Sequence, residues 1–432
     1  MEKLATLGSD KSVTTINAIM TELLTDLKPT QIIILRESPP HKRIEDNLKK
    51  ALSYLGINVE VKDIVIGEGV KTWREKISEY DPDVLDITPG RKYMALTTAN
   101  YSKAREVRYV YLKNENEGYR VFGYVPFNEI KIFNMRNGEE IKFRHLPLTT
   151  AGDELDSELD IESLTALYNI LSLHGEVKIK LGDNNYIDDQ KGDEFIELCK
   201  TRSGMRTFRE EEKILDIIKK EDALFVADTN VYISLGNRIK RLFYDREKGF
   251  RLIPSTSVYR ELKSKTQGTQ KDPNLIKFIL GLQTFKEVHL PSISQLEDRL
   301  KNQSYGDVEL KKEVNRLKTA IPTNVYLVTM DQSLGLSAST EIKPIVLKTT
   351  TYHDRFDMGE YLNCLSYYHQ YYNYKNGFNA KINKQLILEL NGNNVVKITN
   401  TLTGEPKVDI KTLDKRYNYA KVLEVLKNTI SQ

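Results

Sequence analysis

The chain has 432 residues, 40% hydrophobic and 29% charged, the composition of a globular protein too long for a single core. Its 64 Lys and Arg nearly balance 61 Asp and Glu for a net charge of +3, so no global basic field demands nucleic acid and any basic surface is local. Only Cys199 and Cys364 occur, which excludes a disulfide framework or cysteine-rich zinc site; the start lacks a signal-peptide core, and no run approaches the ~20 apolar residues that span a bilayer. A cytoplasmic protein without a membrane segment is the expectation.

Residues 1–135 alternate strand-like and helix-like patterns, which argues for a parallel sheet covered by helices. Strands are expected at Leu4–Leu7, Gln31–Leu35, Asn58–Val65 and Asp83–Ile87, with helices to Leu24, at Ile44–Leu55, at Val70–Tyr80 and from Tyr93. Glu106–Lys113 and Tyr119–Val125 read as a closing hairpin around the polar stretch Asn114–Gly118. Residues 136–220 read as a connector, or as a small winged-helix-like module, with an acidic boundary at Asp153–Glu162, a strand at Glu176–Lys180 and a helix at Glu210–Lys220. A second α/β unit follows at 221–348. A small α+β extension at 349–432 holds an aromatic-rich helix, Asp357–Tyr374, and two strands, Gln385–Leu390 and Val395–Thr399, joined by Asn391-Gly392-Asn393-Asn394, a hairpin signal.

The second α/β unit carries four informative acids. Asp228 ends the apolar run 223–227, and Asp331 follows the run Val325–Val328; both runs read as buried parallel strands. Ligand sites in open α/β sheets gather outside the carboxyl ends of the strands, so these acids face one crevice. Glu261 lies in a helical pattern and Asp307 opens another. Each also has an ordinary role: Asp228 in an Asx-turn, Asp307 and Asp331 as helix caps, Glu261 on a solvated face. Together, several carboxylates without a counter-ion would repel, whereas divalent cations would hold them and activate water for hydrolysis.

The segments Val226-Ala227-Asp228-Thr229-Asn230, Ile253-Pro254-Ser255-Thr256 leading to Glu261-Leu262, Gly306-Asp307 and Val328-Thr329-Met330-Asp331 resemble a PIN domain. The resemblance implies a metal-dependent ribonuclease in which Asp228, Glu261, Asp307 and Asp331 bind Mg²⁺ or Mn²⁺ and Thr229, Asn230 and Thr329 orient them. Cations between and after the first two acids, among them Arg238, Lys240, Arg241, Lys263 and Lys265, suit RNA phosphates. Gly268 within the polar run 264–273 suggests a flexible loop beside Glu261.

The loops Gly8-Ser9-Asp10-Lys11-Ser12 and Thr88-Pro89-Gly90-Arg91-Lys92 each join a strand to a helix, a setting that suits phosphate or ribose. With their flanking strands they resemble a CARF domain, the Rossmann-like sensor of type III CRISPR accessory proteins. That resemblance implies a homodimer through the amino-terminal domain and binding of a cyclic oligoadenylate by Gly8, Ser9, Ser12, Thr88, Gly90, Arg91 and Lys92. The expected whole is an α/β chain with a Rossmann-like CARF domain, a PIN-like nuclease domain and a small α+β extension. Its expected function is ligand-activated, metal-dependent RNA cleavage in antiviral defence. A non-catalytic nucleotide sensor and a constitutive PIN-type RNA-processing nuclease are the alternatives.

Overall fold

The computed structural model describes residues 2–40, 44–114, 120–144, 156–182, 185–267, 272–299, 304–338, 342–376, 385–400, 407–413 and 418–431. The chain divides into two compact units: Met1–Ile179 with Ile387–Ile398 and Asp409–Gln432, and Lys180–Leu386 with Thr399–Val408. The segments read as a connector (136–220) and an extension (349–432) are therefore each split between the units rather than forming bodies of their own.

The first unit is built on a seven-stranded sheet. Strand Glu2–Leu7 lies between Pro29–Arg36 and Val84–Asp86, with Glu60–Val65 outside the former and Glu106–Leu112 outside the latter, all parallel. Such strands are covered on both faces and need near-continuous apolar runs, as Ile32–Leu35 supplies. Because the chain leaves Glu2–Leu7 in one direction and returns on its other side at Val84–Asp86, the order reverses between these two strands, and a crevice opens at their carboxyl ends. A second, five-stranded sheet belongs mainly to this unit. In it Leu386–Leu390 neighbours Asn393–Thr399, and Asn391 and Gly392 both take positive φ (49° and 85°), the two-residue turn that an Asn-Gly pair favours.

One expected pairing is corrected. Glu106–Leu112 pairs antiparallel with Ile130–Asn134, not with Tyr119–Val125. Residues 120–125 instead run irregularly against helix Ile161–His174, where Asn169 Nδ2 donates to the carbonyls of Gly123 (3.0 Å) and Tyr124 (2.9 Å). Val121, Phe122 and Val125 are buried there, so the apolar pattern that suggests a strand marks a packed loop. The rest of that expected turn, residues 115–119, lies outside the described residues, as do residues 153–155 of the acidic boundary and residues 268–271 of the loop expected beside Glu261.

The second unit has a three-stranded parallel sheet, with Asn324–Thr329 between Ala223–Ala227 and Lys343–Val346. Ala227 stands beside Val328, which brings the carboxyl ends of the first two strands level. Phe225, Val226, Leu327 and Val328 are buried in one core with Tyr232, Tyr259 and Phe285 from the covering helices. The aromatic-rich segment forms two helices, Met358–Leu365 and Tyr368–Lys375, in place of one.

Two links tie helix Glu194–Ser203 to helix Met358–Leu365. Arg202 donates through Nε to Glu360 Oε1 (2.8 Å), and Cys199 is bonded to Cys364. One bond between two cysteines is a single link and not a framework, yet it removes cysteine usage as support for the cytoplasmic expectation. No helix among the described residues is long and apolar enough to cross a membrane.

Candidate functional site

Asp228 follows strand Ala223–Ala227 and opens helix Thr229–Leu235, where its Oδ1 accepts from the Val231 amide at 2.9 Å. That is the N-cap geometry expected of a short acid before a helix. Its other oxygen, Oδ2, accepts from the Thr329 hydroxyl and, at 3.3 Å, from the Met330 amide, both at the end of the neighbouring strand. Asp228 is 5% exposed, and burial pushes its carboxyl up to about 6; the hydrogen bonds oppose this and the charge of Asp307 adds to it. Asp228 and Asp307 are therefore near enough for their charges to interact.

The other acids are held differently. Glu261 Oε2 accepts from Thr229 Oγ1 at 2.7 Å, so the residue after Asp228 does orient the second acid. Asp331 donates its amide to Thr329 Oγ1 (2.9 Å), while its Oδ1 accepts from the amide and hydroxyl of Ser333 (2.7 Å each) and from the Leu334 amide (3.2 Å). Those bonds hold Asp331 below the usual carboxylate range, and they make it the cap of helix Gln332–Ala338. Asp307 is the first residue of helix Asp307–Ala320, and Asn230 is exposed.

Whether these residues suit a metal depends on which kind. Among the described residues no three His, Cys, Asp or Glu side chains gather as a ready cage, so a fully protein-ligated ion does not fit. Mg²⁺ and Mn²⁺ ask for less: Mg²⁺ is commonly held by one or two carboxylates with waters and substrate phosphates completing the shell. Asp228 and Asp307 are the two carboxylates whose charges interact here, so they are the donors that such an ion would draw on, and it would relieve their repulsion.

Several of the cations proposed for RNA are spent on the fold. Arg238 donates to the Thr201 carbonyl (2.8 Å) and pairs with Glu211 at low exposure. Lys240 pairs with Glu287 and Lys263 with Glu297, both nearer the surface, and Lys265 lies 5.7 Å from the Phe278 ring centre. Arg241 is exposed. Sequence reasoning missed Glu313, which accepts from Ser255 Oγ and, at 3.1 Å, from the Ser257 amide. It joins the start of the Glu261 helix to the helix that Asp307 opens. The serines before an apolar helical pattern were the available signal.

In the first unit the two loops do meet at the crevice. Gly8, Ser9 and Arg91 line one cleft with Arg36 and Glu37. Arg91 pairs there with Glu37 (3.1 Å) and Asp10 (3.5 Å). The remaining expected ligand residues, Ser12, Thr88, Gly90 and Lys92, are not among those lining this cleft. Thr88 donates to Asp86 Oδ1, accepts from the Val110 amide at 2.8 Å and lines a separate cavity of about 240 Å³ with Asn17 and Phe122. Gly90 lies so close to Leu7 that a Cβ would come within 2.2 Å of its side chain, which is a packing reason for glycine. Ser12 and Lys92 each begin a helix, and Lys92 is exposed. Asp86 is fully buried and also accepts from Thr6 Oγ1 at 2.7 Å; burial raises its carboxyl, so this strand-end acid braces the loop from beneath. No protein-family model matches the chain, and no curated protein matches it significantly.

Proposed function

We propose that the chain is a cyclic-oligoadenylate-activated endoribonuclease that depends on Mg²⁺ or Mn²⁺, working as a cytoplasmic homodimer that pairs through its first unit. The observation that carries the catalytic part is Asp228: a buried carboxyl at a strand end, its charge opposed by Asp307 and its orientation fixed by Thr329. Bound there, the ion would activate water for phosphodiester hydrolysis. Asp228 and Asp307 would hold it, Thr229 would keep Glu261 turned toward the crevice, and Arg241, exposed just after the helix that Asp228 opens, would offer charge for RNA phosphates. The sensing part rests on the paired loops at the reversal point of the first sheet, the usual ligand position of a doubly wound fold.

A second reading, a non-catalytic nucleotide sensor, draws on one observation: no three metal-ligating side chains gather among the described residues. Labelled RNA incubated with the full chain and Mn²⁺, with and without cyclic tetra- and hexa-adenylate, separates the readings. Cleavage that rises with ligand supports the effector. Equal cleavage in both conditions favours a constitutive nuclease. No cleavage of any RNA with either metal, alongside ligand binding, favours the sensor.

A further inference from the structure

Arg36 ends the second strand of the first sheet and is 3% exposed. Its Nε donates to both oxygens of Asp63 (2.8 Å each) and its Nη1 to the Ser9 carbonyl (2.8 Å). Its Nη2 is buried and has no hydrogen-bond partner among the described residues. An orphaned guanidinium donor is costly, since a buried N–H loses water and gains nothing in return. The arm is nevertheless held rigidly across the Gly8 loop: a Cβ on Gly8 would fall 2.4 Å from Arg36 Cγ, so only glycine lets the arm lie there. Beside it, in the same cleft of about 50 Å³, stands Glu37. Its carboxylate accepts from the Tyr93 hydroxyl and pairs with Arg91 at 3.1 Å, which leaves further lone pairs to accept with.

We propose that Arg36 and Glu37 bind the ribose-phosphate edge of a ribonucleotide, with Glu37 accepting the 2′-hydroxyl and Arg36 Nη2 donating to a phosphate oxygen of the same nucleotide. An acid just beyond the second strand of a doubly wound sheet is where ribose hydroxyls are taken, and a guanidinium fork matches phosphate. Charge argues against a bare anion as the occupant. Asp63 neutralises Arg36, and Asp10 and Glu37 face Arg91, so the cleft offers donors and acceptors together. A ribonucleotide presents a phosphate and a ribose hydroxyl donor at a fixed separation; inorganic phosphate has its P–OH and its acceptor oxygens on one atom and cannot span both residues. The assignment deepens the sensor reading and rests on it for the identity of the natural ligand.

The test is calorimetry on the full chain with cyclic tetra-adenylate, cyclic hexa-adenylate, AMP, their 2′-deoxy forms and inorganic phosphate. The wild type should bind at least one ribonucleotide, its 2′-deoxy form at least fivefold more weakly, and inorganic phosphate not measurably. Arg36→Lys, which keeps the charge toward Asp63 but loses the fork, should weaken ribonucleotide binding tenfold or more. Glu37→Gln should weaken it and abolish the preference for ribose over deoxyribose, a readout that holds even if Arg36→Lys fails to fold. Equal binding of ribo and deoxy forms by the wild type, wild-type affinity in a folded Arg36→Lys, or no binding of any probe overturns the assignment. Binding of AMP alone, lost in Arg36→Lys, would sustain the assignment while removing the cyclic-oligoadenylate reading. Binding of a cyclic oligoadenylate unchanged by either substitution would do the reverse.

Discussion

The Thr329 hydroxyl donates to Asp228 while accepting the Asp331 amide at 2.9 Å, so one side chain joins the carboxyl ends of two parallel strands and two of the acids found there. The register sets this up, since Ala227 pairs with Val328 and places the next residues of both strands together. Removing the hydroxyl would take from Asp228 one of its hydrogen bonds, leaving those from the Val231 and Met330 amides, without altering the volume of the site. Thr329→Val should lower RNA cleavage tenfold or more and Thr329→Ser should restore most of it, measured as initial rates at saturating Mn²⁺. A Val variant as active as the wild type would detach Thr329 from the chemistry.

Asp228→Asn should abolish metal-dependent cleavage. Burial raises the carboxyl to about 6, so ionising it at pH 7 opposes folding by up to about 3 kcal/mol against an unfolded value near 3.8. The neutral variant should therefore melt at the same or a higher temperature than the wild type in EDTA. Thermal scans with and without Mn²⁺ check this, and stabilisation by Mn²⁺ should be lost in the variant. A variant that keeps full cleavage sinks the catalytic assignment.

Arg202 and Glu360 form an ion pair buried to 2% and 1% side-chain exposure. Arg202 Nη1 also donates to the Ile233 carbonyl (2.6 Å) and Nη2 to Thr284 Oγ1 (3.0 Å), which anchors the end of the helix that Asp228 opens. Gly236 permits the approach, because a Cβ there would lie 2.7 Å from Glu360 Oε1. Breaking one side should be severe: Arg202→Met should cost about 3–5 kcal/mol, since Glu360 is left buried and unpaired. The double variant Arg202→Met with Glu360→Leu should recover part of that loss. Urea unfolding of all three proteins measures both effects.

His289 is buried, with Nε2 at 2.9 Å from the Tyr232 hydroxyl, and burial depresses its pKa from about 6.5 to about 4. Between these values the unfolded chain binds the proton more readily than the folded one. Stability is thus fully present above pH 6.5 and is lost as pH falls toward 4, by about 3 kcal/mol at most from this group. His289→Gln should flatten the fall between pH 7 and 4.5 in denaturant titrations. An unchanged pH slope would show that the imidazole is charged in the folded protein.

Cys199 and Cys364 close a loop across a sequence separation of 165, for which chain-entropy arguments allow stabilisation of about 5 kcal/mol at most. Dithiothreitol, or Cys199→Ser with Cys364→Ser, should lower the melting temperature of the second unit. Thiol titration of the unfolded, unreduced protein should find no free thiol. Two titratable thiols would mean that the buried pair is held reduced.

The sequence alone determined the local pieces. Apolar β-branched runs predict strands Ala223–Ala227 and Asn324–Thr329 because a doubly covered strand needs such a run, and acids at their ends predict both the caps and the crevice. The Asn391-Gly392 pair predicts its turn because few other residues tolerate two successive positive φ values. Only the tertiary structure decided the non-local matters. It paired Glu106–Leu112 with Ile130–Asn134, since an apolar run buries equally well in a strand or a packed loop. It divided the segment 136–220 between two units and joined cysteines far apart in the chain. It spent Arg238 on Glu211 and left one donor of Arg36 without a partner among the described residues, because a cation's partners depend on which distant chain segments close around it.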